Sequence, residues 1–117
     1  MKSNAIKEKS FSFALEIVAI YKYLSFEKRE FVLSKQMLRS GTSIGANIRE
    51  AEHAESKADF IHKLSIALKE ANETEYWLDL LYQSEYLNVS QFQNIKDQIT
   101  QQLKLLTSII NTTKNKS

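Results

Sequence analysis

The sequence of 117 residues contains no cysteine, no proline and only two glycines. Without cysteine there are no disulfides, thiolate metal sites or cysteine nucleophiles, so packing alone must hold the fold together. The absence of proline and the scarcity of glycine leave few residues for tight turns, whereas residues that favour helices are frequent. We therefore expect an all-α protein.

Long apolar runs are also missing. No segment approaches the roughly 18 uncharged apolar residues of a membrane span, and the amino terminus lacks the apolar stretch of a signal peptide. We expect a cytoplasmic protein without membrane contact, forming a single domain over residues 1–117. The net charge of +2 is unevenly distributed: residues 1–40 carry eight Lys or Arg against four acids, residues 41–90 four against nine, and residues 91–117 four against one.

Apolar residues recurring at steps of three and four predict four helices, at about residues 5–24, 28–54, 57–84 and 91–111. Ser56 with Asp59 and Ser90 with Gln93 have the spacing of capping boxes, which mark the starts of the third and fourth helices. Long helices joined by short connections run antiparallel to their neighbours. The pattern predicts an up-down-up-down four-helix bundle.

The two glycines both fall in the second helix, at Gly41 and Gly45. Glycine weakens a helix, so these positions indicate close packing of another helix. The third helix is apolar on two sides, and its second side carries Ile66, Trp77, Leu80 and Leu81. A wide core-facing arc explains this pattern, but a helix apolar on two sides usually has two partners. We predict that these four residues form a contact between subunits of a homo-oligomer.

Residues 39–51 read RSGTSIGANIREA. This segment resembles the R-x-x-x-S-I-x-x-N-I-x-E signature of the four-helix-bundle family encoded within intervening sequences of bacterial 23S rRNA genes. FIHKLSIAL at residues 60–68 resembles the family's F-L-x-x-L-S-I-A-L segment, and residues 14–22 fit its first helix. Further matches are the paired glutamates Glu73 and Glu75 and the helix end Tyr86-Leu87, while Gly45 and Glu85 replace a common proline and a common glycine.

The resemblance implies a homopentameric ring. Relatives of the family include the accessory variability determinant of diversity-generating retroelements, which binds RNA and a reverse transcriptase. The resemblance therefore implies RNA or a reverse transcriptase-like protein as partner, besides further copies of the chain.

Catalytic patterns are weak. Glu50 with His53 and Asp59 with His62 place a carboxylate and an imidazole three residues apart, as di-iron bundles do. Such a site needs ligands from all four helices at mid-bundle, whereas these pairs flank a single turn. No serine has an identifiable base. We expect no catalytic residue, no metal and no cofactor, and hence no enzyme.

Basic residues on the second helix favour nucleic-acid binding. Lys28, Lys35, Arg39 and Arg49 lie within about 80° of one another at 100° per residue, opposite the apolar face. Lys114 and Lys116 in the basic tail add auxiliary contacts. The stripe is also compatible with an ordinary solvated helix face, which would leave a protein-interaction scaffold without a nucleic-acid role as the alternative function.

Glu75 falls on the inward stripe of the third helix, where an unpaired charge is costly. The resemblance places Arg39, Asn47 and Glu75 at matching family positions, so Asn47 and Arg39 are the expected partners of Glu75. The alternative is a rotated helix that leaves the Glu75 carboxylate at the bundle edge, in water. In the first case Asn47 and Glu75 are structural polar residues that select helix register.

Overall fold

The computed structural model describes the backbone of residues 2–116 and the side chains of residues 4–116. Four helices account for most of this chain: α1 (Lys2–Phe26), α2 (Leu33–Glu52), α3 (Lys57–Gln83) and α4 (Val89–Lys114). Each helix packs against the next in sequence, and α4 returns to α1. The prediction of an all-α four-helix protein is confirmed.

Side-chain pairs between neighbouring helices give their directions. Lys7 at the start of α1 pairs with Glu52 at the end of α2 (Nζ–Oε1 3.0 Å), and Lys63 early in α3 pairs with Glu50 late in α2 (3.3 Å). The same antiparallel pattern holds for Asn94–Glu16 between α4 and α1 and Lys96–Asp79 between α4 and α3. Connections 27–32 and 84–88 therefore lie together at one end of the 50 Å long molecule. We refer to this end of the molecule as the loop end.

The apolar stripe of α2 faces the core, as its periodicity predicts: Met37, Ile44 and Ile48 are buried against the other helices. Gly41 lies where α1 approaches most closely. A β-carbon on Gly41 would stand 2.9 Å from Cγ2 of the buried Ile17, whereas one on Gly45 would meet its nearest neighbour at 3.4 Å. Close packing therefore requires glycine at Gly41 but not at Gly45.

The start of α2 differs from the prediction. The helix begins at Leu33 rather than near Lys28, because the carboxylate of Glu30 caps its first turn. Arg29 adopts a left-handed backbone conformation (φ 56°), which ends the path of α1 before α2 can begin. Lys28 therefore lies in a connection and not on α2.

The second connection of the loop end is a Schellman turn. The backbone N–H of Tyr86 donates to the Leu81 carbonyl (2.9 Å) and that of Glu85 to the Tyr82 carbonyl (3.0 Å), with Glu85 in the left-handed region (φ 69°). After this turn Asn88 and Gln91 form the capping box of α4.

The predicted cap of α3 is confirmed, because Ser56 Oγ accepts a hydrogen bond from the Asp59 N–H (3.0 Å). The predicted box of Ser90 with Gln93 is wrong, since α4 starts two residues earlier. The outer helix ends also lie beyond the predicted limits, at Lys2 for α1 and Lys114 for α4.

Candidate nucleic-acid interface

The basic residues singled out in the sequence are all exposed but do not form one stripe. Lys28 and Lys35 lie at the loop end, whereas Arg49 lies near the opposite end of α2, which is about 30 Å long. Lys114 and Lys116 are also at that opposite end, where the Nζ of Lys57 donates to the carbonyl of Lys116. One nucleic-acid strand would have to follow the whole bundle to reach all six.

Arg39 is occupied by acidic partners. Its guanidinium donates to the Glu73 carboxylate and lies 3.6 Å from Glu70 Oε1, joining α2 to α3. The same Glu73 oxygen accepts a hydrogen bond from the indole N–H of Trp77 (3.2 Å). The charge of Arg39 is therefore compensated within the chain. The Arg39 side chain links α2 to α3.

Arg49 contacts an aromatic ring. Its guanidinium carbon lies 5.2 Å from the centre of the exposed Phe11 ring on α1, within the range of a cation–π contact. The neighbouring Glu50 pairs with Lys63 instead of Arg49.

The loop end concentrates exposed cations. Lys22 in the last turns of α1, Lys28 and Arg29 in the connection, and Lys35 at the start of α2 are all exposed. None of the four forms an ion pair with a residue that the structure describes. Sequence reasoning missed Lys22 and Arg29, because it looked for one helical face rather than for a connection.

Large apolar side chains are exposed in the same connection and at the end of α1 that precedes it. Phe26 is 72% exposed, Phe31 50% and Val32 71%. The sequence signal was present, since residues 26–32 read FEKREFV, with aromatic residues on either side of two adjacent cations. Aromatic and basic residues that alternate on a surface are typical of single-stranded nucleic-acid binding sites.

Glu30 holds this connection in place. Its carboxylate accepts hydrogen bonds from the backbone N–H groups of Val32 (3.1 Å), Leu33 (3.0 Å) and Ser34 (2.7 Å), and its own N–H donates to the Leu24 carbonyl (2.9 Å). Burial raises the pKa of Glu30, but the hydrogen bonds from Leu33, Ser34 and Val32 outweigh it, so that the pKa lies below its ordinary value. The connection is anchored at both helices by one buried acid.

The candidate subunit contacts divide between surface and core. Ile66, Trp77 and Leu80 on α3 are half-buried, and Trp77 packs against the core of its own chain. Leu81 is completely buried in that core. The prediction of a subunit contact at Leu81 is wrong, because one further step of 100° along α3 turns that side chain inward. A second apolar surface was missed: Phe11 and Leu15 are half-exposed or more on the outer side of α1.

Glu75 pairs with α4 rather than α2. Its carboxylate lies 3.3 Å from Lys96 Nζ, which is also 2.7 Å from Asp79. Burial lowers the pKa of Lys96, but the hydrogen bonds and charges of Asp79 and Glu75 raise it above its ordinary value. The prediction that Asn47 or Arg39 is the partner of Glu75 is wrong, since the side of α3 that carries Glu75 faces α4.

Asn47 donates instead to the Ser43 carbonyl of its own helix (2.9 Å). The buried polar contact between α2 and α3 is made by other residues, Thr74 Oγ1 and Ser40 Oγ, which lie 2.9 Å apart. The side chains of Ser40 and Thr74 are small enough to be buried between α2 and α3, whereas a glutamate side chain is too large for this position.

The model of the 23S rRNA-intervening sequence protein family matches residues 2–108. The chain belongs to this family. It is also similar to a protein of unknown function from the S23 ribosomal protein family of Bacteroides thetaiotaomicron VPI-5482, known from a crystal structure at 1.70 Å resolution. The two are 62% identical with a TM-score of 0.93, and the match covers 95% of this chain and 99% of that one. No curated protein matches the chain.

Two further properties of this family member bear on its chemistry. Among the residues that the structure describes, no three His, Asp or Glu side chains converge on a common point, and Glu50 of the first carboxylate–imidazole pair is engaged by Lys63. No helix in the described part of the chain is long and apolar enough to cross a bilayer.

Proposed function

We propose that this member of the 23S rRNA-intervening sequence family is a non-enzymatic homo-oligomer that binds RNA through its loop end. The observation that carries the proposal is the group of four exposed cations, Lys22, Lys28, Arg29 and Lys35, beside the exposed rings of Phe26 and Phe31. Cations bind phosphates and release counterions, while aromatic rings stack on bases. One connection supplies groups for both interactions.

The distribution of acids supports a positive potential at this end. Along the helices many cations are neutralised, as Lys7 is by Glu52 and Lys63 by Glu50. Glu30 is buried, and its carboxylate is saturated by the backbone of α2. The exposed side chains of the loop end then comprise four cations and two carboxylates, those of Glu27 and Glu85. The net charge of this exposed surface is positive.

The exposure of the aromatic residues supports the same proposal. Burying a phenylalanine contributes about 1.5–3 kcal/mol, so a rigid connection that keeps two of them in water forgoes part of that stabilisation. Glu30 fixes the backbone path between Phe26 and Phe31, and both side chains are at least half exposed. Stacking on the bases of a single strand would bury them.

Two different apolar surfaces support assembly into a ring. Phe11 and Leu15 are at least half exposed on α1. Ile66, Trp77 and Leu80 are half-buried on α3, which is diagonally opposite in the bundle. When one such surface meets the other on the next copy, the contact is head-to-tail, and it forms a ring when the rotation between copies closes. The resemblance to the family implies five subunits. Five loop ends on one rim would bind RNA multivalently.

A protein scaffold is the competing function. Val32 and Val89 add to the exposed apolar surface at the loop end, and such a surface also suits a protein partner, including a reverse transcriptase-like one. Binding of labelled single-stranded RNA, measured between 50 and 200 mM salt, separates the two. We expect an affinity that falls steeply with salt. Failure to bind RNA at the lower salt concentration would exclude the proposal and favour the scaffold.

A further inference from the structure

The loop end also contains an open cleft of about 600 Å³ between its two connections. This volume lies within the range of small-ligand pockets. The cleft is lined by Tyr23, Lys28, Tyr82, Gln83, Glu85, Tyr86, Leu87, Asn88 and Val89. Three tyrosines therefore share one opening, and Lys28 belongs both to the cleft and to the group of exposed cations.

The aromatic walls are held by contacts from outside the cleft. The ring of Tyr82 is stacked on Phe92, with centroids 4.1 Å apart and planes at 7°. The backbone of Tyr86 is fixed at the end of α3 by the hydrogen bond from its N–H to the Leu81 carbonyl. A ligand would meet a Tyr82 ring that is already positioned, which lowers the ordering cost of binding.

Lys28 connects the cleft to the surface. Its Nζ lies 6.0 Å from the centre of the Tyr23 ring, at the limit of a cation–π contact. The side chain is exposed and has no carboxylate partner among the described residues. Its ammonium can therefore bind an anion at the mouth of the cleft while the tyrosine rings that line the cleft contact a planar group of the same ligand.

We propose that the cleft receives one unpaired nucleobase of the bound RNA, with Lys28 contacting the adjoining phosphate. The inference rests on the proposed function and adds to it a class of RNA. The tyrosine rings stack on the base. Gln83 and Asn88 are lining residues, and the Gln83 carboxamide and the Asn88 amide NH2, whose oxygen caps α4, can hydrogen-bond to the base edge. The nucleotide is bound through its base, which stacks on the tyrosines, and through its phosphate, which contacts Lys28.

The shape of the ligand follows from this assignment. A base inside a duplex is paired and stacked on both faces, so it cannot enter a cleft between two connections without being extruded. Single-stranded RNA, or a loop within a folded RNA, supplies a free base at no such cost. The cleft then adds to the preference for single-stranded RNA that Phe26 and Phe31 give, whereas the exposed cations bind either RNA.

The test compares two tyrosines of α1 that are two residues apart. Both tyrosines pack against the core, but only Tyr23 lines the cleft. Binding of a labelled 12-nucleotide single-stranded RNA and of a 12-base-pair RNA duplex is measured for wild type, Tyr23→Leu, Tyr86→Leu and Tyr21→Leu, after thermal unfolding has established that each variant folds. Tyr86→Leu keeps the test decisive if Tyr23→Leu does not fold.

We expect wild type to prefer the single strand by about tenfold or more, and the two cleft variants to show a smaller preference, since base stacking on an aromatic ring contributes about 1–3 kcal/mol. Tyr21→Leu should retain the wild-type preference. Equal binding of both RNAs by wild type, with no effect of the cleft variants, would overturn the inference and leave the proposed function standing. Binding of neither RNA would overturn both.

A labelled acidic peptide serves as the competing ligand in the same measurements. Weak peptide binding that Tyr23→Leu leaves unchanged is the result that the inference requires. Tight binding of the peptide that Tyr23→Leu abolishes, without a matching loss for RNA, would assign the cleft to a protein partner and overturn the inference.

Discussion

Ser34 donates two hydrogen bonds to Glu30: its N–H donates to Glu30 Oε1 at 2.7 Å, and its Oγ donates to the Glu30 carbonyl at 2.8 Å. Both residues are buried. Since Glu30 also accepts from two further N–H groups of α2, a single acid sets the start of the helix and the shape of the connection that precedes it. The exposed cations on either side of Glu30 depend on this anchor for their placement.

The first prediction concerns the charge of Glu30. Glu30→Gln should lower the free energy of unfolding at pH 7 by about 1–2 kcal/mol, because a neutral amide oxygen replaces a carboxylate that accepts three backbone hydrogen bonds. Chemical denaturation measures the change. Glu27→Gln, at an exposed acid of the same connection, is the matched control and should have little effect.

The same variant predicts a pH dependence. The folded pKa of Glu30 lies below the unfolded value of about 4.3, so its contribution is present above that pH and is lost as the pH falls through the folded pKa. The stability difference between wild type and Glu30→Gln should therefore shrink on acidification. A difference that stays constant from pH 7 to pH 3 would contradict the role of the Glu30 charge.

The second prediction contrasts the two glycines of α2. Gly41→Ala should destabilise the protein by about 1–3 kcal/mol, since the new β-carbon would stand 2.9 Å from the branched side chain of Ile17. Gly45→Ala meets its nearest atom at 3.4 Å and should be neutral or stabilising by up to about 1 kcal/mol, the helix-propensity gain. Equal effects of the two substitutions in thermal unfolding would contradict the close approach of α1 at Gly41.

The third prediction concerns a polar residue in the core. Gln102 on α4 is 1% exposed, and neither of its amide atoms has a hydrogen-bond partner among the described residues. Gln102→Leu should raise the free energy of unfolding by about 1–3 kcal/mol, because it removes polar groups that lose their hydration without compensation. Gln93→Leu, exposed on the same helix, should change it by less than about 0.5 kcal/mol. A Gln102→Leu variant less stable than wild type would indicate that the amide has a partner.

The fourth prediction tests assembly. Wild type should sediment as a homo-oligomer, most simply a pentamer, and Leu80→Glu should reduce its mass with little loss of helicity, because a charge at a subunit contact would be buried without a partner. Asn72→Glu adds the same charge at an exposed position of α3 and should leave the mass unchanged. A monomeric wild type at micromolar concentration would contradict the ring.

Periodicity predicted those features of the fold that depend on one helix at a time. The recurrence of Met37, Ile44 and Ile48 at helical steps sufficed to orient α2, and Ser56 with Asp59 sufficed to start α3. The start of α2 could not be predicted in this way, since its cap is the side chain of Glu30, which lies outside the helix and has no capping-box spacing.

The side-chain contacts between helices could not be predicted from the sequence for a related reason. Whether Glu75 faces α2 or α4 depends on the rotation of α3 about its own axis by a fraction of a turn. A helical wheel drawn from the sequence does not fix this rotation to better than the same fraction. Arg39 was assigned to a free basic surface, although Glu73 and Glu70 on α3 neutralise it. The group at the loop end was missed because its members come from two helices and the connection between them.

The fifth prediction concerns the loop-end cations, whose contribution to RNA binding is read from the dependence on salt. Lys28→Ala/Arg29→Ala should weaken binding of single-stranded RNA and make the slope of log K against log salt shallower by about 0.7 for each phosphate that the variant no longer neutralises. Lys69→Ala/Lys104→Ala removes the same charge at exposed positions away from the loop end and should leave affinity and slope close to those of wild type.

The most direct test of RNA binding at the loop end is therefore the affinity across a salt series for wild type and these two double variants. We predict a weaker and less salt-dependent interaction for Lys28→Ala/Arg29→Ala alone. Equal losses in both double variants would show that net charge rather than the loop end binds RNA, and unchanged binding in Lys28→Ala/Arg29→Ala would place the site elsewhere; either result would contradict the proposed function of the loop end.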